Sequence, residues 1–195
     1  MKMNYTDKEI KEKLEKLLSP QRYAHTLGVS ETAKKMAHMY GVDADKAYIA
    51  GLLHDCAKFG TVDEQLKKCK ETGLKISSEE YMCLPVIHAP LGARIAQLEY
   101  GIEDEEILNA IRFHTVAREG MCDLEKIIYI ADMIEPTRNY AEVGYLRETA
   151  KKGLDIAMIQ CLGECIMFNI KKKKTVHSNS IKCWNELMSK EIRNG

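Results

Sequence analysis

At 195 residues the chain can bury a substantial core without covalent staples. Its 29 Lys+Arg balance 29 Asp+Glu, which excludes the broad basic footprint of a duplex nucleic-acid binder. The seven cysteines are odd in number and lack Cys-x-x-Cys spacing, the N-terminus is charged rather than signal-like, and no apolar run is long enough to span a bilayer. These features predict a reduced, cytoplasmic, non-membrane protein with free thiols, organised as one domain over residues 1–195.

Helix signals run the length of the chain. Thr6 with Glu9 forms a capping box that opens a first helix, ending near Ser19–Pro20. Pro20 then suits the first turn of a second helix that Gly41 closes. Asp43 caps a third, expected to reach about Ala57 before the break at Phe59–Gly60. Thr61 and Glu64 open a fourth, closed by Gly73. The stretch KISSEEYMCLPVIHAP reads as a turn, a short helix and a proline-bounded loop, leading into a helix from about Pro90 to Tyr100. Residues 104–115 carry a helical period through Ile107, Leu108, Ile111 and His114. Asp123 is expected to cap the next helix, which Pro136 ends; a long helix over about 147–168 and a last one over about 178–190 follow. No strand pattern competes, so the expected fold class is all-α, a multi-helix globule.

Polar residues in apolar surroundings carry the chemical information. His54 and Asp55 stand side by side in LLHDCAK, and a carboxylate in such company needs a partner or a cation. Neighbouring helical residues are rotated by about 100°, so the two can share a target only near a helix end. Asp132 is the one acid in IIYIADMI, and His25, His88 and His114 each have apolar neighbours. Any one of them alone is equally at home as a packed or ion-paired core group. Together, four imidazoles and two carboxylates offer more donors than one tetrahedral ion uses and suit a pair of cations. Asp55 has two oxygens and can bridge such a pair. Iron, manganese, zinc, cobalt and nickel all accept this ligand chemistry.

The order His25, His54-Asp55, Asp132 resembles the HD-domain metal-dependent phosphohydrolases, and the wider set RYAHTLGV, LLHDCAK, IHAPLGA, RFHTVA and EKIIYIADMIEPTR is similar to their bacterial YqeK-like branch. The resemblance implies an HD fold with a buried metal centre, two divalent or mixed-valence transition-metal ions with iron foremost, and symmetrical hydrolysis of diadenosine tetraphosphate and related dinucleoside polyphosphates to two nucleoside diphosphates. It implies His25, His54, Asp55 and Asp132 around one ion, and Asp55 bridging to a second ion held by His88 and His114. It places Thr115 and Arg138 near the phosphates. Lys58, three residues beyond Asp55, can meet a phosphate oxygen, and Arg22, one turn before His25, joins the substrate contacts. The implied catalytic set is Asp55, Lys58 and Arg138.

Other readings stay open. The same donor set suits a phosphohydrolase of mononucleotides or deoxynucleotides, or a non-catalytic metal- and nucleotide-binding module. Cys56 is expected to pack rather than react, Cys161 and Cys165 to act as small core hydrophobes, and His38 to sit at a helix end. Lys171–Lys174 reads either as a solvated connector or as a phosphate-facing lip, and His177 falls outside the ligand set. Trp184, Leu187 and Met188 suit packing on the chain itself or on a second copy in a homodimer.

Overall fold

The computed structural model describes residues 5–194, with side chains through 192. Among them there are eleven α-helices, one short 3-10 turn and no strand. The helices are α1 (Asp7–Leu17), α2 (Pro20–Tyr40), α3 (Ala44–Leu53), α4 (Val62–Glu71), α5 (Ser78–Met82), α6 (His88–Tyr100), α7 (Glu105–Phe113), α8 (Asp123–Ile134), α9 (Val143–Thr149), α10 (Leu154–Lys171) and α11 (Ser178–Asn194). The boxes at Thr6–Glu9 and Thr61–Glu64 close in both directions, and a third, Ser77–Glu80, opens α5. Each satisfies backbone N–H groups that the helix leaves without a partner.

Helices α2, α3, α7 and α8 pack on one another, α6 leans on α7, and α10 covers α8 and carries α11. The apolar residues buried between them form one continuous cluster from Ile10 in α1 to Leu187 in α11. The contact between α2 and α3 is the tightest. A Cβ on Gly51 would lie 2.8 Å from the Ser30 Cα, so only glycine lets the end of α3 settle against α2. That approach brings His54 and Asp55 next to His25.

Four boundaries differ from the sequence expectation, each for a local reason. Helix α3 stops at Leu53, not near Ala57; tighter turns follow, with Cys56 N–H donating to Leu53 O at 3.1 Å and Lys58 N–H to Asp55 O at 2.9 Å. Helix α6 begins at His88, and Pro90 falls inside its first turn, where a missing N–H removes no helix bond. Cys122, not Asp123, holds the cap position of α8; Asp123 is the first helical residue, and the Glu125 carboxylate accepts from Cys122 N–H at 3.4 Å. The long helix expected over 147–168 is two helices parted by the Lys151-Lys152-Gly153 turn. Leu146, Ala150, Leu154 and Met158 are all buried at spacings of four, so the apolar period runs straight through the break and hides it.

Gly51→Ala should destabilise the protein by about 1–3 kcal/mol, because the crowded atom is backbone and cannot turn away. Urea denaturation of the two proteins at one pH measures it. A change of less than about 0.5 kcal/mol would mean that α3 can shift without cost.

Candidate metal centre

The early end of α3 answers the difficulty posed by adjacent His54 and Asp55. The helix gives way there to tighter turns, and both side chains face inward, with 0% and 1% exposure. Asp55 is the hub. Its Oδ1 lies 3.3 Å from His88 Nε2 and 3.6 Å from His114 Nε2. Its Oδ2 lies 3.5 Å from His54 Nε2 and 3.9 Å from His25 Nε2. His25 comes from the first part of α2, His88 from the first residue of α6, His114 from the residue just past α7, and Asp132 from the last turn of α8. Asp132 Oδ1 stands 3.0 Å from His25 Nε2. The structure thus brings all six donors together. Three overlapping groups have ligand atoms within 4.8 Å of one another: His25–His54–Asp55, His54–His114–Asp132 and Asp55–His88–His114.

Each imidazole is fixed by its outer nitrogen. His54 Nδ1–H donates to Gly51 O at 2.7 Å, His88 Nδ1–H to Pro85 O at 2.8 Å and His114 Nδ1–H to Ile111 O at 2.7 Å. His25 Nδ1–H instead donates to the Glu135 carboxylate at 3.0 Å. With the proton on Nδ1, every Nε2 presents a lone pair to the interior. Among the described residues, His25 Nε2, His54 Nε2 and Asp55 Oδ1 are buried without a hydrogen-bond partner. The Nε2 atoms of His88 and His114 face each other at 3.3 Å. Converging acceptors of this kind repel one another until a cation sits between them, so the residues fit a metal pair.

Burial by itself would raise the Asp55 pKa; the imidazoles of His54, His114 and His88, when they carry a proton on Nε2, hold the carboxyl well below its usual range instead. Asp132 is likewise lowered against its burial, through His25, His54 and Arg138. Burial pushes His88 the other way, down to about 4, which keeps its nitrogen free of a second proton at neutral pH.

Positive groups rim the cluster. Arg22 donates to Asp55 Oδ2 at 2.8 Å, Lys58 Nζ lies 3.7 Å from Asp55 Oδ1, and Arg138 donates to the Asp132 side chain and, at 2.7 Å, to its carbonyl. All three are partly exposed. The Thr115 hydroxyl is buried without a partner and borders two clefts, of about 230 and 320 Å³, which share Val86, Thr115, Val116 and His177. His177 makes no contact with the six donors; its Nδ1 accepts from Asn179 N–H at 3.2 Å. Lys173 and Lys174 line the larger cleft, and His38 lies in the last turn of α2. Cys56 is sealed in the core with its thiol on Gly92 O at 3.5 Å and its pKa raised by burial, so it packs and does not react. A larger cavity of about 400 Å³, between α1, α4 and α6, contains none of these groups.

The sequence reading missed Glu135. It is fully buried, three residues after Asp132 and hence on the same helical face, and that spacing before Pro136 was the available signal.

A consequence for stability follows from His88. Its folded pKa lies below the unfolded value of 6.5, so the unfolded chain binds the extra proton first, and the contribution is complete above pH 6.5 and lost as the pH falls toward 4. Metal-free protein should lose roughly 2 kcal/mol through this group between pH 7 and pH 5. Denaturant titrations of chelated wild type and His88→Gln at both pH values measure it; an equal loss in the variant would remove His88 as the source.

Residues 22–137 match the family model described as HD domain, a span that includes all six donors and Glu135. The chain is 41% identical over 173 residues to the symmetrical bis(5'-nucleosyl)-tetraphosphatase of Halalkalibacterium halodurans, covering 88% of this chain and 91% of the relative. It is 40% identical over 179 residues to the protein of the same name from Bacillus subtilis, covering 88% and 92%. The crystal structure of a predicted HD superfamily hydrolase involved in NAD metabolism, from Clostridium acetobutylicum, matches with a TM-score of 0.91 and 39% identity over 95% of this chain and 98% of that one. The HD match and the His/Asp cluster together indicate divalent-metal binding. The chain belongs to the HD-domain family and, within it, to the YqeK-like group of symmetrical bis(5'-nucleosyl)-tetraphosphatases.

Proposed function

We propose that the chain hydrolyses diadenosine tetraphosphate, and related dinucleoside polyphosphates, symmetrically to two nucleoside diphosphates. In this reading it is a cytoplasmic enzyme of one HD-type domain, with two iron ions held by His25, His54, Asp55, His88, His114 and Asp132. The relatives that carry this activity in their names support the substrate, since the chain covers 91% and 92% of their lengths. One observation carries the chemistry: the two oxygens of Asp55 face different imidazole pairs, His88 with His114 and His25 with His54.

When bound, the cations supply Lewis acidity, acidifying the attacking water and drawing charge off the phosphoryl oxygens. The water oxygen bonds to one of the two central phosphorus atoms, and the P–O bond of the central bridge breaks. Lys58, Arg22 and Arg138 bind the phosphate chain at the rim. The planar guanidinium forks suit paired oxygens, and the Lys58 ammonium acts as a point charge on the departing phosphate. Cleavage at the centre requires measuring two phosphates from a nucleoside end. The clefts beyond Thr115 offer that nucleoside a seat, with Val116 and His177 lining both and Lys174 lining the larger.

The test is product analysis of purified, metal-loaded protein on diadenosine tetraphosphate, beside mononucleotides and deoxynucleotides. Two ADP and no ATP or AMP are expected; ATP plus AMP in equal yield, or faster turnover of a mononucleotide, would replace this reading. Asp55→Ala should abolish hydrolysis and weaken metal retention. Lys58→Ala should keep its metal while kcat falls by about 10²-fold; metal analysis alongside turnover separates the two effects.

A further inference from the structure

We propose that Glu135 is the positioning residue of the metal centre: it fixes the tautomer and orientation of His25 and makes the His25 side of the centre hold its ion more tightly than the His88–His114 side. The proposal rests on reading the cluster as a metal centre and adds an inequality between its two halves.

Two independent observations carry it. The first is the outer partner of each imidazole. His54, His88 and His114 donate to backbone carbonyls, whereas His25 alone donates to a carboxylate. A carboxylate acceptor pushes more electron density into the ring than a carbonyl does, and the inner nitrogen becomes a stronger ligand. The two cluster carboxylates are also unevenly shared: Asp132 stands 3.0 Å from His25 Nε2 and meets His114 only in the wider group within 4.8 Å, whereas Asp55 lies within 4 Å of both halves.

The second is how firmly Glu135 is held. It is fully buried, its Oε1 accepts from Thr137 Oγ1 at 2.6 Å as well as from His25, and its Oε2 accepts from Thr137 N–H at 2.7 Å. Each of these partners donates, so a glutamine here would have to turn its NH₂ against a donor. The carboxylate also lies directly over Gly28, one turn beyond His25. A Cβ at that position would stand 2.4 Å from Glu135 Oε2. Gly28 is therefore the vacancy in α2 into which the orienting acid fits.

The experiment compares wild type, Glu135→Gln and Gly28→Ala, each confirmed as folded by circular dichroism. Metal content is followed as manganese, cobalt or iron is removed stepwise with a chelator. Wild type should release its ions in two steps. In Glu135→Gln the tighter step should weaken by about 10- to 100-fold while the looser step holds. Gly28→Ala keeps every polar group, should shift the same step, and should add little in the double variant. In zinc-loaded protein the His25 Nδ1 proton should give a hydrogen-bonded NMR resonance that Glu135→Gln displaces and the other three imidazoles retain. Equal weakening of both steps, or unchanged release in both single variants, would overturn the proposal. Wild type that takes up no ion would overturn the metal-centre reading, and this proposal with it.

Discussion

A single buried carboxylate, Asp55, is the constraint from which the centre is built. At 1% exposure it would be costly in an apolar interior; the Arg22 guanidinium, 2.8 Å from its Oδ2, offsets part of that cost, and the four imidazoles around it complete a ligand set for a cation. Meeting the demand needs side chains from α2, α6 and α7 as well as its own segment, so the helices must pack closely at one place. Gly51 permits the closest of these approaches, and the core of isoleucines, leucines and alanines fills the space behind it. The same charge that demands partners supplies a two-sided ligand, with one oxygen toward each half of the cluster.

Much of the fold was legible because its signals are local. Capping boxes at Thr6 and Thr61, the terminator Gly41, and unbroken helical periods place most helices within a few residues of their observed ends. The failures came where a local rule had a rival. The period through Leu146, Ala150 and Leu154 outlasts the helix itself, and periodicity cannot register a turn that preserves spacing. At Cys122 the cap is completed by Glu125 reaching backward, a partner that the residue type at the cap does not announce.

The site was legible in its donors and opaque in their support. Four histidines and two aspartates in apolar company stand out in a sequence because burying them is unfavourable. Glu135 carries the same mark, yet it lies beside the exposed Pro136 and Thr137 and looks like the start of a loop. The fixing of His54, His88 and His114 by backbone carbonyls leaves no trace in residue identity at all. Gly28 could be seen as a glycine but not as a recess, since its role depends on a residue more than a hundred positions away.

Those backbone anchors bear on how the centre takes up a cation. In three of the four imidazoles the holding carbonyl belongs to the residue three positions earlier, so local chain geometry aims each ring. Little side-chain ordering is left to be done when an ion arrives, and affinity is not taxed by it. The aim of these rings is set by the fold itself, and a cation entering the centre meets donors already turned toward it.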